Sequence, residues 1–203
     1  GSLCVNTDLL KRKGLAVPKS WHDLLSDCYK GQIVMPSPKA SSTGYMFFLG
    51  WLQGFGSDKG WDYIEKLHRN MLFYTSSGVR PAAMAAQGEI PIGLSADAFV
   101  KPFLRFDIPV ESIEPLEGIA WDAEASALPA GCPNPQEAKA FLDFCAGPQV
   151  AEIAARFSGI AAREGFSTPK GRAIAERFLP LDFGLAAAEK ADIINRWQAL
   201  VSR

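Results

Sequence analysis

Three short turns hold the residues best suited to chemistry. Ser41-Ser42-Thr43-Gly44 places three hydroxyls and a glycine where an apolar strand gives way to an apolar helix. The first N–H groups of a helix lack intrahelical acceptors, and the aligned peptide dipoles put partial positive charge there. Hydroxyl donors beside those groups suit a phosphate, phosphonate or carboxylate. A glycine lets a ligand come close to the backbone. The same residues also suit an ordinary N-cap, where Ser and Thr are favoured, and the sequence leaves both readings open. Thr75-Ser76-Ser77-Gly78 repeats the device at the next strand–helix junction. Neither turn matches the G-x-x-x-x-G-K-[ST] phosphate loop, so nucleotide hydrolysis is not indicated. In Ser95-Ala96-Asp97 the aspartate either accepts hydrogen bonds from a ligand amine or hydroxyl, or caps the helix that follows.

Other polar candidates are weaker. Trp121, Asp122 and Glu124 fall in Gly118-Ile119-Ala120-Trp121-Asp122-Ala123-Glu124. A carboxylate there can meet a ligand hydroxyl or ammonium, although acidic residues beside a strand usually face solvent. Tyr45 and Tyr74 carry hydroxyls, yet both read more simply as core. Catalysis finds little support. A nucleophile needs a base held beside it, and the two histidines, His22 and His68, sit on amphipathic helices as surface or half-buried residues. No G-x-S-x-G elbow exists. The four cysteines, at 4, 28, 132 and 145, form no C-x-x-C pair, which argues against zinc. They read as small buried hydrophobes with room for one disulfide. No catalysis, metal or cofactor is expected.

The elements that must carry these turns alternate between strand and helix. A short helix over Asp8–Lys13 stops at Gly14. Ser20 caps a helix over Trp21–Leu25, with Asp23 reciprocating. Gln32–Met35 is a strand closed by Pro36 and Pro38. Helices follow from Tyr45 to about Gln53 and from Ser57, the latter with Trp61, Ile64, Leu67 and Met71 at helical spacing. Strands are expected at Leu72–Tyr74, Ile90–Leu94, Pro109–Ile113 and, from its apolar run, Ala123–Leu128. Helices are expected at Pro81–Gln87, from Asp97 to about Phe106, and at Pro135–Cys145 and Pro148–Phe157, these last two with proline in the first turn. Ala186–Val201 is amphipathic, with Ile193, Ile194, Trp197, Leu200 and Val201 inward. The alternation implies an α/β fold on a largely parallel sheet. In such sheets ligands bind beyond the carboxyl ends of the strands, where all three turns lie.

Composition agrees with an ordered chain. Of 203 residues, 48% are hydrophobic and 21% charged, enough to build a core. The net charge of −1 makes nucleic acid and anionic membrane poor partners. No apolar run approaches the ~20 residues of a membrane helix. No signal peptide is visible, and Gly1-Ser2 has the look of a protease-cleavage remnant.

Several segments taken together resemble type II extracellular solute-binding proteins of ABC importers. They are Val5-Asn6-Thr7-Asp8-Leu9-Leu10, Pro18–Leu25, Tyr29–Ile33, Pro36–Tyr45, Tyr74–Gly78, Gly88–Gly93, Gly118–Glu124 and Asn134–Phe144. The resemblance is to the branch that binds ferric ion, 2-aminoethylphosphonate or sugar phosphates, and it covers about residues 4 to 165. It implies two α/β lobes that close like a hinge on a solute. One lobe is complete, from 3–113 with 168–203. Residues 119–157 return into the other lobe, whose first half precedes this sequence. It implies a periplasmic protein that delivers a small anionic solute to an ABC permease. The anion would sit on Ser41, Ser42, Thr43, Gly44, Thr75, Ser76, Ser77 and Gly78. Asp97, with Glu117 or Glu124, would take the solute's ammonium or hydroxyls. Iron-binding members carry adjacent tyrosines where this chain has Ser95-Ala96-Asp97-Ala98-Phe99, so a ferric-ion binding protein is the less favoured alternative. A sensor that reports solute to a two-component kinase is another. The resemblance also implies that 119–157 lacks apolar cover, so the 203-residue chain is expected to self-associate.

Overall fold

The computed structural model describes residues 1–202. The chain divides into two compact units, Gly1–Trp121 with Phe178–Arg203, and Asp122–Arg177. The first unit resumes at Phe178.

In the first unit, β1 (Ser2–Asn6) leads into α1 (Thr7–Arg12), and two 3₁₀ turns (His22–Leu25 and Asp27–Tyr29) precede β2 (Ile33–Pro36). Next come α2 (Ser42–Gly54), α3 (Ser57–His68), β3 (Met71–Thr75), α4 (Arg80–Ala86), β4 (Ile92–Ser95), α5 (Asp97–Val100) and β5 (Val110–Ile113). The second unit contains α6 (Pro135–Cys145), α7 (Pro148–Ser158) and α8 (Pro169–Ala175). The long α9 (Phe183–Val201) belongs to the first unit again.

The five strands form one sheet in the order β3-β2-β4-β1-β5. β2 runs parallel to β3 and to β4, which puts the ends of those three strands, and the turns after them, on one edge. β1 runs antiparallel to both β4 and β5, so the sheet is mixed rather than largely parallel. All five residues of β1 are buried, and with no alternation of apolar and polar residues the strand leaves no period-two signal. Ser2 pairs with Ser95 in the ladder and is fully buried.

Most local expectations hold, and the exceptions have local causes. Ser20 Oγ accepts the Asp23 N–H at 3.0 Å, while Asp23 Oδ2 accepts the N–H groups of Ser20 at 3.0 Å and Lys19 at 2.7 Å. That reciprocal cap closes a 3₁₀ turn rather than an α-helix. α5 stops at Val100, and a separate 3₁₀ turn covers Phe103–Arg105. Pro102 has no N–H to continue the helical ladder. Ala123–Leu128 is not a strand: it is irregular and almost wholly exposed, with no ladder partner to take its backbone groups. All four cysteines are free; Cys4 is buried, Cys28 is exposed and the other two are intermediate.

The core of the first unit is an aromatic cluster on one side of the sheet. Trp21 packs edge-on against Phe47 and Trp51 at 5.6 and 5.5 Å between centroids, and Trp51 meets Tyr63 at 5.0 Å. The Tyr63 hydroxyl donates to the Trp21 carbonyl at 2.9 Å, so a buried polar group is satisfied where three elements meet. Trp61, Ile64 and Leu67 are buried along α3, while Met71 opens β3. Ile193 and Trp197 bring α9 onto the same core. Asp182 caps α9, accepting the Leu185 N–H at 2.9 Å, and Gln53 at the end of α2 bonds both backbone groups of Asp182.

The second unit is poor in buried side chains. Ala151 and Ala155 are its only buried hydrophobics among the described residues. Phe141 and Phe144 on α6 are 64% and 53% exposed, and Ile153 on α7 is 49% exposed. Such an apolar surface favours association. We expect the 203-residue chain to sediment with a mass that rises with concentration, and the double substitution Phe141→Ser, Phe144→Ser to return it to a monomer. A clean monomer for the unaltered chain at high concentration would contradict this.

Candidate functional site

Ser41 stands at the N-cap of α2 with extended backbone (φ −140°, ψ 131°), and its carbonyl accepts the Tyr45 N–H at 3.0 Å. Its hydroxyl makes no capping bond. The cap is therefore formed by backbone alone, and the Ser41 hydroxyl remains available. The preceding turn is closed locally. The Ser37 carbonyl accepts the N–H groups of Ala40 and Ser41, and Ser37 Oγ accepts that of Lys39. The Ser37 N–H donates to the Thr75 carbonyl at 2.8 Å, which joins the first turn to the end of β3. Ser42 is exposed, while Thr43 and Gly44 are buried. Gly44 has no space for a side chain: a Cβ there would stand 2.5 Å from the Pro36 and Ser37 carbonyl oxygens.

The two hydroxyl-bearing turns touch. A Cβ on Gly78 would lie 2.3 Å from Thr43 Oγ1, 2.8 Å from Thr43 Cβ and 3.2 Å from Ser41 Oγ. Only glycine allows this approach. Thr75 is buried and its hydroxyl donates to the Ser77 carbonyl at 2.8 Å, while Ser76 and Ser77 are exposed. The structure thus brings Ser41, Thr43 and Gly78 into one patch, with Ser42, Gly44 and Thr75–Ser77 alongside them in the same two turns.

The acidic candidates are engaged or stand elsewhere. Asp97 does not cap α5; Ala96 holds that position. Asp97 Oδ1 accepts from Ser112 Oγ at 2.8 Å, and Oδ2 pairs with Lys101 Nζ at 2.6 Å. Glu117 belongs to a different arrangement. Its Oε2 accepts the Trp21 N–H at 2.9 Å, and its Oε1 accepts the His22 N–H at 3.0 Å and lies 2.6 Å from His22 Nδ1. With Trp21 Nε1 donating to the Gly118 carbonyl and the Leu116 N–H to the Lys19 carbonyl, these bonds tie residues 116–118 to 19–22. Glu124 is exposed in irregular chain of the second unit.

The aromatic candidates are structural. The Tyr45 hydroxyl donates to the Ala186 carbonyl, the Tyr74 hydroxyl lies 3.0 Å from His68 Nδ1, and Trp121 Nε1 donates to the Leu179 carbonyl while its ring stacks on Phe178. Burial pushes the Tyr74 hydroxyl up to about 12, so it stays protonated. A shallow concavity on α3 and α9, lined by Trp61, Glu65, Arg196, Ala199 and Leu200, shares no residue with the turns. The sequence marks Ser95 only as part of the Ser95-Ala96-Asp97 turn, with no role of its own, and does not mark Ser112; these two bond Gly78 and Asp97. Each lies far in sequence from its partner, so no local pattern marks it.

The chain has known relatives. The family model described as bacterial extracellular solute-binding protein matches residues 1–176. An uncharacterized protein of Haemophilus influenzae is 30% identical over 154 residues, 74% of this chain and 44% of that protein. The probable ABC transporter periplasmic-binding protein y4fP of Sinorhizobium fredii is 30% identical over 151 residues, 70% of this chain and 42% of its own length. Among solved structures, the periplasmic binding protein AfuA of Actinobacillus pleuropneumoniae, with fructose-6-phosphate bound, superposes with a TM-score of 0.88 at 28% identity. That match covers 99% of this chain and 66% of AfuA. The chain therefore spans less than half of these curated relatives and about two-thirds of that solved one.

Two predictions follow from the geometry. Gly78→Ala should push the turns apart and cost about 1–3 kcal/mol of stability, as overpacking does; urea denaturation reads it, and an unchanged midpoint would refute the contact. Glu117 gives a pH dependence. Partial burial pushes its pKa up, but the bonds from the His22 side chain and the His22 and Trp21 N–H groups outweigh this and hold the carboxyl below its usual value. Its contribution to stability is then complete above the unfolded value, about 4.3, and is lost as pH falls through the lower folded value. Glu117→Gln should flatten the acid side of a stability–pH profile measured by urea denaturation.

Proposed function

The chain belongs to the bacterial extracellular solute-binding protein family, and from that premise we propose that the whole protein captures a small phosphate- or phosphonate-bearing solute in the periplasm and hands it to an ABC permease. The observation that carries the reading is the contact of the two hydroxyl-bearing turns at Gly78 and Thr43. It gathers Ser41, Ser42, Thr43, Thr75, Ser76 and Ser77 with the unpaired N–H groups at the start of α2. An anion with several oxygens needs several donors from different directions, and preorganised donors bind without an ordering cost. The similarity to AfuA, solved with fructose-6-phosphate, supports a phosphorylated solute. No step on the solute is called for; the site holds and releases.

Asp97 takes the ammonium or hydroxyl end of the solute in this reading. Ser112 and Lys101 hold its carboxylate in place. Both oxygens also have lone pairs left to accept from a ligand. A ferric site finds no tyrosine in Ser95-Ala96-Asp97-Ala98-Phe99.

Calorimetry of the full-length protein tests the proposal. Inorganic phosphate, 2-aminoethylphosphonate and fructose 6-phosphate are titrated in turn. Saturable binding of at least one is expected, weakened about tenfold or more when Ser42 and Thr43 are changed together to Ala and Val. Silence from all three, beside a saturable ferric-ion titration, would overturn it.

A further inference from the structure

Of the two hydroxyl-bearing turns, Ser41–Gly44 (turn one) and Thr75–Gly78 (turn two), turn two has no regular structure of its own between β3 and α4. What fixes it is a residue outside it. Ser95, the last residue of β4, is fully buried, and its hydroxyl donates to the Gly78 carbonyl at 2.6 Å. On the preceding peptide, Thr75 Oγ1 donates to the Ser77 carbonyl at 2.8 Å. From the other side, Thr43 and Ser41 crowd the Gly78 Cα so closely that no Cβ fits. Gly78 is thus gripped between a buried hydroxyl behind it and turn one beside it.

The peptides here are trans, as no cis bond occurs among the described residues. In a trans peptide the N–H points opposite to the C=O. Tying the Ser77 carbonyl therefore fixes the direction of the Gly78 N–H. Tying the Gly78 carbonyl likewise fixes the Val79 N–H, and both are aimed away from the hydroxyls that hold the carbonyls. Neither N–H donates to a protein acceptor among the described residues. If Gly78 were free to rotate, its carbonyl could turn towards the solute and repel an anion.

We propose that Ser95 is a positioning residue of the solute site: its buried hydroxyl, acting through the Gly78 carbonyl, holds turn two against turn one with N–H groups and not carbonyl oxygens presented to the anion. The inference rests on the phosphate-solute reading above and adds to it a determinant that does not itself touch the solute. It also accounts for a fully buried serine at the end of β4.

Full-length wild-type, Ser95→Ala and Ser95→Thr proteins are titrated calorimetrically with fructose 6-phosphate and with inorganic phosphate, and their thermal midpoints are recorded without ligand. Ser95→Ala should weaken the phosphate probe that wild type binds about tenfold, at a temperature where the variant is fully folded. Ser95→Thr, which keeps the hydroxyl, should restore most of the affinity. A purely structural role would lower the midpoint and leave the affinity of the folded protein unchanged, and that result overturns the inference while the solute reading stands. Silence of wild type towards both phosphate probes overturns the inference, while the solute reading then turns on 2-aminoethylphosphonate. Should Ser95→Ala not fold, Ser95→Cys keeps the volume with a weaker donor, and wild-type affinity in that variant would equally overturn the inference.

Discussion

Everything the proposed site can do depends on the register of three parallel strands. β2, β3 and β4 lie side by side and end together, with Met35 opposite Tyr74 and Pro36 opposite Thr75. Because the strands end level, the chain leaving each one enters the same small region. The Ser37 N–H reaches the Thr75 carbonyl just past the last rung, and the Ser95 hydroxyl reaches the Gly78 carbonyl from β4. A one-residue slip would turn every inward side chain outward, so the buried faces of Ile33, Met35 and Ile92 hold the register that aligns the turns.

The aromatic cluster under α2 and α3 sets where the first turn stands. α2 is buried along ten of its residues, from Thr43 to Leu52, and cannot shift without disturbing Phe47, Phe48 and Trp51. Its N-terminus is locked from below as well, since Gly44 lies on the Pro36 and Ser37 carbonyls. Close-packed interiors transmit displacement rather than absorb it. Rigid support of this kind is what a preorganised anion site needs. The Glu117 cluster plays a different part. It fastens residues 116–118 to the 3₁₀ turn at His22, well away in sequence from the hydroxyl turns, and its carboxylate has its backbone partners already filled.

The fold is that of type II periplasmic binding proteins, and the two units differ in how complete they are in themselves. The first has a five-stranded sheet and two apolar clusters. The second has three helices and little more than two buried alanines. Amphipathic helices owe most of their stability to packing an apolar face. Phe141 and Phe144 show that α6 carries such a face without a matching partner among its own neighbours.

The sequence by itself determined what depends on neighbours along the chain. The Ser20–Asp23 cap, the prolines opening α6 and α7, the helical stripe of Trp61, Ile64 and Leu67 and the two hydroxyl turns are all set by residues within a few positions of each other, and all were legible. The end of α5 was equally local, with Pro102 the overlooked signal. Tertiary structure alone decided the rest. β1 takes its antiparallel place only because β4 and β5 flank it. Asp97 and Glu117 look alike in sequence as free carboxylates, yet Ser112 and Lys101 claim one and the Trp21 and His22 N–H groups claim the other. Gly78 is an ordinary turn glycine until Thr43 comes within reach of its Cα, and Ser95 an ordinary strand serine until its hydroxyl finds Gly78. These partners are separated by many residues, and a hydrogen bond or a steric limit acts only over a few ångströms. Which distant residues come that close is fixed by sheet order and register, and neither is written in any local pattern.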